Sequence, residues 1–359
     1  MNFDSANLKW VFLIMVKRKF FGLALVVMPL FLVDLPAHAA SFDLTSLTYG
    51  TPTDGSNSTV NGITYRDESL PVTGFTANGN NWTTGGFPTP VVSIRRNSPG
   101  ADNPNRQVVW SERATGDPNT TVLIGPPTTS EAAFNTNNIY LGADNFFVNT
   151  GNGAGNQSDI ERIDYVISAG VTVDPTLGVV VLERGVSDVH DVFQIAAITA
   201  VDGSGLPTAF GNLLTITGGS WGTTDLRTPG SRDYTILNDS DGGAFINTAN
   251  VNQNIGGVAI TLDSLVTSGT TVFGYSIFGA DVISGGNNNN LVDFTNRTFF
   301  PVTPDNTGVG GLDPVAANFG IAQVPFEFSP ALGLVFLGGF WGLSAIRKSR
   351  KSAKSSEDA

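Results

Sequence analysis

The sequence contains no cysteine. Disulfides, thiol nucleophiles and cysteine-ligated zinc or iron–sulfur centres are therefore excluded, and the core must carry its own stability. Histidine is nearly as scarce. Of the two, His38 lies near the N-terminus and His190 stands alone in GVSDVHDVF. One histidine makes a histidine-rich metal site impossible. A Ser-His-Asp hydrolase would have to combine His190 with Ser187 and Asp188 or Asp191, and nearness in sequence says little about nearness in space. The plainer reading is a loop histidine between two strands. Lysine is missing from Ser41 to Gly320, where ten arginines face 26 acidic residues, a net charge of -16. Such a surface repels nucleic acid and anionic lipid, so no nucleic-acid partner is expected. Helical periodicity is also nearly absent from this region.

What is there instead is a series of short runs rich in Val, Ile, Thr, Tyr and Phe. They include VVSIRR, QVVWSER, IERIDYVI, LGVVVLERG, VFQIAAITAV, GGVAITL and TVFGYSIFG, separated by Gly, Asn, Asp, Ser and Pro. Strands of this length, with turn residues recurring every 8–15 positions, predict a mainly β ectodomain of sandwich or jelly-roll type over 41–298. One domain and two domains divided near Pro126-Pro127 are both compatible with the pattern. In DIERIDYVI, Ile160, Arg162, Asp164 and Val166 share one face, and Glu161, Ile163, Tyr165 and Ile167 share the other. This reads as a half-buried strand. LGVVVLERG reads as a central strand buried on both sides, with Glu183 and Arg184 forming an ion pair at its end. Residues 299–323 carry several prolines and glycines and read as a spacer.

Chemistry-bearing constellations are few. Glycoside hydrolysis needs two facing carboxylates. Glu68, Glu112, Glu131, Glu161 and Glu183 are available, but nothing selects a pair. NDSDGG over Asn238–Gly243 resembles part of an oxygen-ligand loop. As an EF-hand it fails, because placing Gly242 at position 6 puts Leu237 at position 1 and leaves no glutamate at position 12. Asp239 and Asp241 remain calcium candidates of an irregular loop, beside the reading of an Asx-rich turn. Trp82, Trp110, Tyr140, Phe147 and Trp221 fit either sugar stacking or core packing. No cofactor and no enzymatic activity are expected.

The two ends hold all the lysine. Residues 1–40 read as a signal peptide for signal peptidase: a basic region at Lys17–Lys19, an apolar run from Phe20 to Val33, then Ala37-His38-Ala39. Cleavage is expected after Ala39 or Ala40, and Met15 is an alternative start to Met1. At the other end, Phe328–Ile346 is 19 residues without a charge, enough for one helix across a bilayer core of about 30 Å. Gly333, Gly338, Gly339 and Gly342 keep one side of that helix narrow. Arg347, Lys348, Arg350 and Lys351 follow as a stop-transfer cluster, which predicts a cytoplasmic tail and a β domain outside.

A short motif, one apolar helix and a basic cluster over 324–359 resemble the sorting signal of PEP-CTERM proteins, the substrates of exosortases. The motif reads Val324-Pro325-Phe326-Glu327-Phe328-Ser329-Pro330. In place of Pro-Glu-Pro it is similar to the cyanobacterial variant with a Pro-Phe-Glu core before Ser-Pro. The resemblance implies a membrane-embedded cysteine protease or transpeptidase that recognises Pro325, Phe326 and Glu327 and cuts nearby. It also implies a single membrane span before processing, and release or re-attachment at the cell surface afterwards. Proline would hold the motif extended at the membrane edge, the form in which proteases bind substrates. The expectation is an exported structural or adhesive surface protein. The alternative is a module that binds, or an enzyme that acts on, extracellular polysaccharide.

Overall fold

The computed structural model describes residues 41–60, 63–96, 108–112, 121–122, 134–143, 147, 160–185, 191–221, 226, 234–238, 244–246, 254–301, 312–316 and 320–324. The described residues are mainly β. The strands of the first half are β1 (Ser41–Tyr49), β2 (Asn57–Val60), β3 (Ile63–Arg66), β4 (Val72–Ala77), β5 (Asn80–Thr83), β6 (Val91–Arg96), β7 (Val108–Glu112), β8 (Thr121–Val122), β9 (Leu141–Ala143) and β10 (Ile160–Thr172). Those of the second half are β11 (Leu177–Gly185), β12 (Phe193–Val201), β13 (Pro207–Phe210), β14 (Leu214–Ile216), β15 (Tyr234–Asn238), β16 (Ala244–Ile246), β17 (Asn254–Thr261), β18 (Thr271–Phe278), β19 (Pro314–Val315) and β20 (Ala322–Gln323). Among the described residues no helix is long and apolar enough to cross a membrane.

The larger sheet curls on itself. Its order is β16-β15-β7-β9-β19-β11-β17-β1-β4-β5-β20, and β20 pairs back onto β11. Strands β11, β17, β1, β4, β5 and β20 therefore form a closed ring, which removes the exposed edges an open sheet would carry. Closure rests on two residues: Ala322 pairs with Gly178, and Gln323 with Leu177 on one side and Thr83 on the other. Local chemistry shapes the ring. Asn78 and Gly79, with φ of 50° and 72°, make the two-residue hairpin turn between β4 and β5, and both residue types tolerate positive φ.

The second sheet runs β13-β12-β18-β10-β6, with β14 also on β12. It shares a core with the ring. Val179, Val181, Val258 and Ile260 of β11 and β17 pack with Ile163, Tyr165, Ile195, Ala197, Tyr275 and Ile277. The alternate residues Val180, Leu182, Ile255 and Ala259 point into the ring with Leu44, Phe75 and Trp82. β11 is thus buried along its whole length, as its unbroken apolar run predicts. The mainly β expectation holds, and part of the larger sheet closes into a barrel. β1 pairs with β17 and β6 with β10, so residues on both sides of position 126 share sheets.

Two expectations need correction. β10 is buried on both faces over residues 160–167, whereas a half-buried strand was expected. Its outer face, with Val166, packs against Ile198, Phe210, Phe278, Leu291 and Phe300, because the 279–300 segment covers it. The charged residues there are neutralised in place. Asp164, fully buried, accepts from Arg162 Nε (2.6 Å), Arg95 Nε (2.6 Å) and Ser276 Oγ (2.6 Å). Arg162 also donates to the carbonyls of Leu291 (2.5 Å) and Val292 (3.2 Å), and its guanidinium lies over the rings of Phe210 and Phe294. The second correction concerns the expected spacer at 299–323. Phe300, Leu312, Val315 and Ile321 are buried, and β19 and β20 are strands of the larger sheet. Pro314 opens β19, a position where a missing N–H is tolerated.

Candidate functional site

The carboxylates that sequence reasoning offered for catalysis are occupied within the fold where they are described. Glu112 pairs with Arg184, and both are buried. The expected Glu183–Arg184 pair does not form, because neighbouring strand residues point to opposite faces. Glu183 instead accepts the Asp191 backbone N–H at 2.9 and 3.1 Å. Burial pushes the Glu183 carboxyl well above its usual range, the charge of Asp191 adds to this, and backbone hydrogen bonds from Asp191 and Asp313 oppose it. Glu161 pairs with Arg297 at 3.2 Å, and Glu68 with Arg66 at 3.1 Å. Among the described residues no group of three or more His, Asp or Glu could hold a metal ion. Ser187, Asp188, His190, Glu131, and the calcium candidates Asp239 and Asp241, lie outside the described residues.

The aromatic candidates resolve in favour of packing where they are described. Trp82, Tyr140, Phe147 and Trp221 are all buried. Trp82 stacks on Phe75 inside the ring (5.6 Å between centroids), and Trp221 packs on Phe193 and donates to the Asp191 carbonyl. The side chain of Trp110 lies outside the described set.

Of the predicted sorting motif, Val324 is described. Its N–H donates to the Thr176 carbonyl at 2.9 Å, extending the β20–β11 contact by one residue. Its side chain packs against the core inside the ring. The folded barrel therefore reaches to the residue before Pro325. Pro325, Phe326, Glu327, Phe328, Ser329 and Pro330, the span 328–346, the stop-transfer residues Arg347, Lys348, Arg350 and Lys351, and the cleavage residues Ala37, Ala39 and Ala40 lie outside the described residues.

Near this chain exit is a site that sequence reasoning missed. An open groove of about 340 Å³ lies between the 84–90 loop after β5 and residues 135–137, with Gly320 beside it. Among the described residues no charged side chain lines it. Both walls are tied to neighbouring residues of β4. Thr84 donates through N–H and Oγ1 to the Thr73 carbonyl, both at 3.0 Å, and Asn137 Nδ2 donates to the Val72 carbonyl at 3.0 Å. Phe87 is half-buried against the core between the sheets. The groove joins segments far apart in sequence, so no local signal announced it. With the geometry in hand, the chain matches no protein-family model, no curated protein and no solved structure.

Proposed function

We propose that the protein is an exported cell-surface or extracellular-matrix protein with a structural or adhesive role, anchored through and then processed at its C-terminal signal by an exosortase. In this reading a signal peptide is removed after Ala39 or Ala40, a helix over 328–346 spans the membrane once, and the sandwich-like body with its barrel stands outside. The observation that carries the reading is the ordered succession of the Pro-Phe-Glu motif, a 19-residue uncharged run and a basic cluster. The fold supports it in one respect. The last described strand, β20, precedes Pro325, so a cut after the motif leaves every described strand of the ring in place.

The test is intact mass and fractionation of the protein from its native host, comparing wild type with Pro325→Ala and Glu327→Ala. The expected wild-type mass lacks both the leader and everything beyond the motif region. The variants are expected to keep the helix and stay in the membrane fraction. A wild-type protein that retains its helix and basic tail refutes processing and leaves a one-span anchored ectodomain.

A further inference from the structure

We propose that the groove between the 84–90 loop and residues 135–137 binds a neutral saccharide. This deepens the surface-protein reading, and rests on it for its biological setting, by naming what the β domain touches. Three properties of the groove converge. Among the described residues its lining is hydroxyl and amide groups from Thr84, Thr89, Asn135, Thr136 and Asn137, with no charge. Those groups both donate and accept, which matches the paired donor and acceptor character of sugar hydroxyls. Phe87 and two proline rings supply the smaller, apolar share of the lining, which can meet the C–H face of a pyranose. The volume lies near the lower end of small-molecule sites, about 300–1,000 Å³.

The groove is also held ready. Thr84 and Asn137 are bonded to adjacent β4 residues from opposite walls, and Phe87 is fixed by the core beneath it. Binding therefore spends little free energy on ordering loops. Thr89 is exposed, and its hydroxyl has no protein partner among the described residues, so it is available to a ligand. Charge selects the ligand class. The described lining is uncharged and gives an ionised ligand no counter-charge to offset its desolvation. The domain around it is at -16, which further disfavours uronate or sulfate polymers. A peptide is less well matched, because among the described residues the groove presents no strand edge for β-addition and no charged anchor.

The experiment uses the full chain in a polyoxyethylene detergent, whose headgroup carries no sugar ring. Binding is measured by calorimetry against maltotetraose, cellotetraose, chitotetraose, mannotetraose and, as the charged control, tetragalacturonate. At least one neutral tetrasaccharide is expected to bind at least tenfold more tightly than tetragalacturonate. Thr89→Trp, which fills the groove from an exposed position, is expected to weaken that binding at least tenfold with unchanged circular dichroism. Phe87→Ala is expected to weaken it similarly, and Phe87→Tyr to keep it. The proposal is overturned if no neutral sugar in the panel binds, or if Thr89→Trp stays folded and binds like wild type. It is equally overturned if tetragalacturonate binds as tightly as the best neutral sugar. Processing at the C-terminus is read separately by mass in the host, so failure of either claim is visible without the other.

Discussion

The buried Arg162–Asp164–Arg95 cluster allows a sharp test of what holds the second sheet to its cover. The perturbation is Asp164→Asn. The carboxylate accepts from Arg162 Nε and Nη2, from Arg95 Nε and from Ser276 Oγ. Asparagine keeps the size but replaces one acceptor oxygen with an NH2 group, which would face a guanidinium donor against donor. Arg162, at 2% exposure, would keep its charge without a counter-ion, whereas Arg95 at 19% reaches water. Breaking a buried pair in this way costs about 3–5 kcal/mol. That is a large part of the roughly 5–15 kcal/mol typical of a whole domain. The comparison is Ser276→Ala, which removes one hydrogen bond to a charged group, about 1.5–3 kcal/mol. Urea unfolding followed by tryptophan fluorescence is the assay. With a denaturant slope of about 3 kcal/mol/M, the midpoint of Asp164→Asn falls by about 1–1.7 M. If Asp164→Asn costs no more than Ser276→Ala, the cluster is not a charge-compensated anchor and the reasoning fails.

The remaining predictions concern pH and backbone. Burial raises the folded-state Glu183 carboxyl above its unfolded value of 4.5. The neutral form is therefore favoured in the fold, and this contribution to stability is fully present below pH 4.5 and is lost as pH rises toward the folded value. Glu183→Gln should be more stable than wild type at pH 7, with the gap closing near pH 4; every tenfold difference in proton affinity between the folded and unfolded carboxyl is worth about 1.4 kcal/mol. Thermal melts across that range check it, and a gap that widens toward pH 4 contradicts the sign. Gly274 has φ of 112°, and a Cβ there would lie 1.9 Å from the Tyr165 carbonyl oxygen. Gly274→Ala should cost well over about 1 kcal/mol, since the backbone conformation and the β10–β18 ladder both resist it. Loss of amide protection in both strands is the expected hydrogen-exchange result, and a variant with wild-type protection would show that the ladder yields easily. The processing and saccharide tests given above complete the set.

Several features followed from the sequence alone. Strand-forming runs bounded by Gly, Asn and Pro specify a mainly β body, because side-chain alternation and turn chemistry are local properties. β11 could be recognised as buried on both faces, since an uninterrupted run of Leu and Val has no polar side to turn to water. The charge asymmetry between the ends and the middle is likewise a property of composition. What tertiary structure decided depends on residues that meet only when the chain folds. Arg162 and Asp164 look like a solvent face until Arg95, Ser276 and the 279–300 cover neutralise and enclose them. Glu183 and Arg184 look like partners by adjacency, yet the pleat sends them apart, one to Asp191 and the other to Glu112. The prolines and glycines of 299–323 suggest a spacer, but β19 and β20 share the edge of β11 that β17 leaves open, and β20 closes the ring from there. The groove has contributors more than 230 positions apart, Thr84 and Gly320, each bland by itself. Sequence distance hides such a site, because its chemistry exists only in the juxtaposition.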